Sequence, residues 1–132
     1  MSKLRRVMCV EDDPDIRMLL EFSLTTVGGY EVCLCPGGQS ALAQAPIFRP
    51  ELVLLDVMMP DLSGPQTLAA LRQQPGMQGI PVVFMTAKAL PNEVEDLLQY
   101  GATGVIVKPF DLATLPQDLL IYWEHGRGVR PA

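Results

Sequence analysis

The sequence predicts a doubly wound α/β sandwich, and three observations carry that reading. Short apolar runs recur along the chain, at Val7 to Val10, Tyr30 to Leu34, Leu52 to Leu55, Pro81 to Met85 and Val105 to Val107. Between them lie stretches with helical spacing. At 132 residues, 48% of them hydrophobic, the chain can bury one real core and has little room for a second. Near-continuous apolar strands separated by helices belong in a parallel sheet covered on both faces, which right-handed crossovers wind in the doubly wound manner. Five strands and five helices are expected.

Taken in order, the first run opens onto three acids, Glu11, Asp12 and Asp13, and then Pro14. Asp-Pro is a helix start: the Asp13 carboxylate can accept from the N–H groups of the next turn, while proline takes the first helical position. Ile16, Leu19, Leu20, Ser23 and Val27 recur at helical spacing, and Gly28 and Gly29 close that helix. The second run carries Cys33 and Cys35, whose alternation puts both thiols on one side of a strand, and it ends in Pro36 and Gly37 with nothing ionic. A helix is expected from Ser40 to Ile47. The third run ends on Asp56 and turns through Met58, Met59, Pro60 and Gly64 into a helix from Pro65 to Gln73. Thr86, Ala87 and Lys88 close the fourth run, before a helix from Pro91 to Tyr100. Lys108, Pro109 and Phe110 close the fifth, before a helix from about Leu112 to Trp123. If Asp111 caps that helix, Pro116 falls inside it and removes a backbone hydrogen bond, so a loose first turn or a start nearer Pro116 is expected. Residues 1–125 form the domain, and 126–132 read as a frayed tail.

Composition excludes several functions. The net charge of −5, with ten scattered Lys and Arg, argues against a grip on nucleic acid, and Lys3, Arg5 and Arg6 are too few to reverse it. No apolar stretch approaches the roughly 20 residues that cross a bilayer, and the N-terminus lacks a signal-peptide core, so no membrane association and a cytoplasmic location are expected. Three cysteines, Cys9, Cys33 and Cys35, make an odd count and read as buried reduced thiols. His125 is the only histidine and is expected at the surface; a zinc site would want more.

In this architecture ligands collect at the carboxyl ends of the strands. Those ends offer Glu11, Asp12 and Asp13, then Asp56, then Thr86, then Lys108. Carboxylates brought together there would repel one another, and a divalent cation is the obvious compensation. Oxygen ligands without histidine suit Mg²⁺, which often works with phosphate oxygens. Lys108 adds a positive charge and Thr86 a hydroxyl, a set that suits a phosphoryl group with Asp56 as the nucleophile. Met58 and Met59 read as loop packing, because thioethers suit soft ions and the neighbours are hard carboxylates.

The segments VEDDPDIR, LLDVMMPDLSG, MTA and GVIVKPF together resemble the receiver domain of two-component response regulators, of the stand-alone type. The likeness runs from about Arg6 to Trp123, with 44 residues from Asp12 to Asp56, 30 on to Thr86 and 22 on to Lys108. It implies a flavodoxin-like sheet of order 2-1-3-4-5 and an aspartyl phosphate on Asp56. It also implies Asp12, Asp56 and the Met58 carbonyl as Mg²⁺ ligands, Glu11 acting through a metal-bound water, and Thr86, Ala87 and Lys108 binding the phosphoryl group. Asp13 is left to the helix cap. The implied partners are a sensor histidine kinase or histidine phosphotransfer protein as donor, and a downstream protein that meets the fourth helix, fifth strand and fifth helix. A homodimer is a further partner that the resemblance allows. The chain would catalyse only its own phosphorylation and dephosphorylation. One departure stands out: three residues before the lysine, where many receivers carry Tyr or Phe, this chain has Val105, which cannot make the aromatic swing that couples Thr86 to the surface in those receivers.

A phosphorylation-controlled switch that binds another protein is the preferred function. A phosphorelay intermediate passing the group to a histidine would have a nearly identical sequence. A hydrolase of small phosphate esters would need a second acid to protonate the leaving group, and none is evident.

Overall fold

A computed structural model describes residues 3–126. Five strands, β1 (Arg6–Val10), β2 (Glu31–Cys35), β3 (Leu52–Asp56), β4 (Val82–Thr86) and β5 (Gly104–Val107), form one parallel sheet in the order β2-β1-β3-β4-β5. The helices are α1 (Pro14–Glu21), α2 (Gly38–Phe48), α3 (Gly64–Leu71), α4 (Pro91–Gln99) and α5 (Leu115–Gly126). This is the expected fold, with boundaries moved by a few residues. Gly126, expected in the tail, is the last residue of α5, and the rest of the expected tail, 127–132, lies outside the described residues.

Alternation along the strands divides the interior into two cores. Val7, Cys9, Leu52, Leu54, Val83, Met85 and Ile106 face Leu20, Leu24, Leu115, Leu119 and Trp123 of the first and last helical segments. Met8, Val10, Cys35, Val53, Leu55, Val82 and Phe84 face Ala41, Ala45, Leu68, Leu71 and Leu97 of α2, α3 and α4. Every residue of β3 and β4 is buried, as a parallel sheet covered on both faces requires. All three cysteines are free; Cys9 and Cys35 are buried, and the Cys33 and Cys35 sulfurs lie 4.0 Å apart on one side of β2. Burial pushes the Cys9 thiol far up and the Cys35 thiol up to about 12, so neither is a thiolate near neutral pH.

Three departures from the simple pattern have local causes. The first helix does not keep a 3.6-residue turn: Phe22–Val27 is a π-helix, with the Gly28 N–H donating to the carbonyl of Ser23, five residues back. Ser23 and Leu24 are buried in it, while Val27, grouped with Ser23 by helical spacing, is exposed. In α2, Pro46 takes away the N–H that would reach the Leu42 carbonyl, and the Gln74 amide donates to that carbonyl instead at 2.9 Å. In α5, Pro116 sits at the second position after a turn in which the Thr114 and Leu115 N–H groups donate to the Asp111 carbonyl, so the helix does begin nearer the proline. His125 lies in its last turn and is half-buried, where a surface position was expected.

Candidate functional site

β1 and β3 are neighbours, with Val10 paired to Leu55, so the chain delivers Glu11 and Asp56 side by side at the carboxyl rim of the sheet. One oxygen from each of Glu11, Asp12 and Asp56 lies within 4.8 Å of the others. Glu11 and Asp56 are buried, while Asp12 is exposed at the rim. Carboxylates this close repel by roughly 3 kcal/mol per pair at an effective dielectric constant of about 20. Lys108 answers part of that charge. It follows β5, where its N–H donates to the Thr86 carbonyl at 2.9 Å, and its Nζ lies 2.9 Å from Glu11 Oε1 and 3.2 Å from Asp56 Oδ1.

The ion pair is uneven. Burial pushes the Glu11 carboxyl above its ordinary value, and the hydrogen bonds from Lys108 and the Asp13 N–H offset this only in part. Burial alone would lower the Lys108 ammonium, but its bond to Glu11 and the charge of Asp56 outweigh burial and raise it. Lys108 is therefore held as a cation, and the Glu11 carboxylate is disfavoured by its burial.

The loops that hold these groups are tied down by local chemistry. Asp13 is the N-cap of α1, its carboxylate accepting from the N–H groups of Asp15 at 2.8 Å and Ile16 at 3.4 Å, with Pro14 next. Ser63 and Gln66 form a reciprocal capping box at the start of α3. Gly64 is required there, because a β-carbon would stand 2.6 Å from the Asp56 carbonyl oxygen and 2.9 Å from the Val57 Cα. The side chain of Met58 is 70% exposed, against the loop packing expected of it, while Met59 is partly buried against the second core. Thr86 is buried, and its hydroxyl accepts the Lys88 N–H at 3.0 Å; Ala87 is exposed.

Two supporting residues escaped the sequence reading. Arg17 Nη1 donates to the carbonyls of Glu11 at 2.8 Å and Asp12 at 2.9 Å, fixing the acidic turn from within α1. The Asp61 carboxylate accepts from the N–H groups of Gly38, Gln39 and Leu62, which joins the loop after Asp56 to the start of α2. Those peptide donors hold its carboxyl below the ordinary value. The only sequence signals were an arginine one turn into a capped helix and an acid beside Pro60.

Residues 7–120 match the model of the response regulator receiver domain. The chain is 33% identical over 125 residues to the probable C4-dicarboxylate response regulator DctR of Bacillus subtilis (strain 168), covering 94% of this chain and 54% of that protein. It is 34% identical over 122 residues to the sensor protein GacS of Pseudomonas syringae pv. syringae, covering 90% of this chain and 13% of GacS. The chain spans between 13% and 54% of the length of these curated relatives. Among solved structures, chemotaxis protein CheY4 of Vibrio cholerae aligns with a TM-score of 0.82 at 33% identity, over 88% of this chain and 96% of that one. The receiver domain of sensor histidine kinase PA1611 from Pseudomonas aeruginosa PAO1, solved with a magnesium ion in its active-site cleft, aligns with a TM-score of 0.81 at 29% identity, over 93% of this chain and 99% of that one. With the doubly wound sheet and the acid-lysine rim already in place, these matches establish that the chain belongs to the response regulator receiver domain family of two-component signalling.

Proposed function

We propose that Asp56 accepts a phosphoryl group from a phosphohistidine on a sensor histidine kinase or histidine phosphotransfer protein, and that the aspartyl phosphate controls binding to a downstream protein. One observation carries this: Glu11, Asp12 and Asp56 converge within 4.8 Å while Lys108 reaches both Glu11 and Asp56. In the transfer the donor's N–P bond breaks as an Asp56 O–P bond forms, and the histidine nitrogen leaves with the electron pair. The Lys108 ammonium is placed to neutralise charge on the phosphoryl oxygens. The Thr86 hydroxyl and Ala87 N–H are the further donors in this reading, and the hydroxyl must give up its 3.3 Å bond to the Lys88 carbonyl to serve. A water in line with the O–P bond reverses the modification. The chemistry is confined to the chain's own phosphorylation and dephosphorylation.

The donor set fits Mg²⁺, being hard carboxylate oxygens without histidine or thiolate. Asp12, Asp56 and the Met58 carbonyl would be its protein ligands. Glu11 spends one oxygen on Lys108 and the other on the Asp13 N–H, which supports its acting through a metal-bound water. When bound, the ion supplies positive charge against the phosphoryl oxygens and the clustered acids.

The test is incubation of the full chain with Mg²⁺ and acetyl phosphate, followed by intact-mass and peptide analysis. One phosphoryl group per chain on Asp56, absent from Asp56→Asn and from samples with chelator, is the expected result. An adduct that persists in Asp56→Asn, or none on the wild type, overturns the proposal. The likeness to the receiver domain of sensor histidine kinase PA1611 favours a second reading, a relay step in which the group passes on to a histidine. Rapid loss of the label to an added histidine phosphotransfer protein would select it over the switch.

A further inference from the structure

The α4, β5 and α5 face, read above as the output surface, also carries features that point to the chemistry of its partner, and the inference drawn from them rests on that reading. Between the outer edge of β5 and α5 lies a cavity of about 490 Å³, lined among others by Val105, Val107, Phe110, Asp111, Asp118 and Tyr122. Its apolar rim is open to solvent: Val107 is 46% exposed and Ile121, which also lines it, 44%. The Tyr122 ring lies against Gly104, where a β-carbon would collide with it, and its hydroxyl stands 3.4 Å from the Val105 carbonyl. Two carboxylates share this cavity with two aromatic rings. Asp111 spends one oxygen on the Ala113 N–H, and among the described residues neither acid has a cationic partner, since both ion pairs belong to Lys108.

We propose that this cavity is a preformed docking pocket for an arginine side chain, presented between aliphatic residues of a partner protein. The occupant follows from charge and shape. A planar guanidinium can stack on an aromatic face while pairing with a carboxylate through two parallel hydrogen bonds, and its weak hydration makes its transfer into such a pocket cheaper than that of a lysine ammonium. Aliphatic neighbours on the partner would cover Val107 and Ile121, excluding water around the charged pair. The pocket is preformed because the Tyr122 ring rests on the Gly104 backbone and because Val105 has no ring to swing in or out of the space. The arginine subsite therefore exists before phosphorylation, and the aspartyl phosphate controls the rest of the partner's docking on this face.

Titration of ¹⁵N-labelled full chain, without phosphodonor and with chelator, tests this. The probes are the acetylated, amidated tripeptide leucine-arginine-leucine and its citrulline counterpart, equal in shape but uncharged. Saturable shifts at Val107, Asp111, Asp118 and Tyr122 are expected, with the arginine peptide about tenfold tighter than the citrulline one. Asp118→Asn should remove most of that preference and leave phosphoryl uptake on Asp56 unchanged. Equal affinity for the two peptides overturns the proposal, as does absence of saturable shifts at the pocket. Shifts at the pocket that depend on protein concentration alone would make a second copy the occupant and overturn it too. Because no phosphoryl group is present, failure here leaves the chemistry of Asp56 standing, and failure of phosphoryl uptake leaves this titration readable.

Discussion

Gly64 and Gly104 both stand where a β-carbon would collide, but they collide with different things. At Gly64 the obstacles are the Asp56 carbonyl oxygen and the Val57 Cα, main-chain atoms at the end of a fully buried strand. At Gly104 the obstacle is the ring of Tyr122, a side chain on a partly exposed edge. The rim that carries Asp56 thus meets a change first with backbone atoms, with the buried Phe84 ring next at 3.0 Å. The β5–α5 edge is side chain packed on backbone and can yield by rotating one residue. The phosphoryl chemistry proposed for the first needs fixed distances; recognition by a partner is proposed for the second. Gly64→Ala should therefore be the most damaging of the changes considered, costing about 3 kcal/mol as overpacking against rigid atoms. Urea unfolding measures that loss. Phosphoryl uptake should fall with it even in the folded fraction, since the displaced atoms belong to Asp56 and Val57. A near-neutral Gly64→Ala would erase the contrast.

Removing the cation from the rim is the next largest perturbation. Lys108→Ala leaves Glu11 and Asp56 facing each other without compensation. The cost should be about 2 kcal/mol, below the figure for a fully buried pair because Lys108 keeps a solvent-facing side. Its pH dependence is specific. Burial already raises Glu11 above its ordinary 4.5, and a carboxyl raised on folding contributes stability that is complete below the unfolded value and is lost as pH rises through the folded one. Without Lys108 the Glu11 carboxyl should rise further. The deficit of the variant should thus be small near pH 4.5 and grow toward neutrality, while Lys108 in the wild type, raised above 10.5, stays charged throughout. Unfolding in chelator between pH 4.5 and 8 checks this, and adding Glu11→Gln should recover about half of the loss at pH 8. A deficit that shrinks as pH rises would contradict a Glu11 carboxyl raised by burial.

The same contrast explains what could be read in the sequence. Asp56, Lys108 and the Glu11–Asp12 pair were legible because each directly follows an apolar run, and a parallel sheet brings such positions to one rim whatever the details of packing. Asp13 was legible as a cap because the Asp-Pro pair acts within one turn. The contacts made across the fold were not. Glu11 was assigned to a metal-bound water, and its direct pairing with Lys108 joins residues 97 apart. The Tyr122 ring against Gly104 and the Asp61 link to α2 are non-local in the same way. The error over Val27 was of another kind: helical spacing groups it with Ser23, and it stands exposed at the end of six residues wound as a π-helix.

The smallest effect is expected at Gly104, and it bears most directly on the pocket. Gly104→Ala should cost about 1 kcal/mol, because the Tyr122 ring can rotate away from the new methyl group and relieve most of the overlap. Rotation breaks the long Tyr122–Val105 contact, a minor loss at 3.4 Å, but carries the ring into the cavity beside Phe110 and Asp118. Stability should therefore change little while discrimination between the arginine and citrulline peptides collapses. Combining Gly104→Ala with Tyr122→Leu should restore stability without restoring the preference, since space returns but the aromatic face does not. Were the double variant to prefer arginine as strongly as the wild type, the carboxylates alone would account for recognition and the ring would be only a spacer.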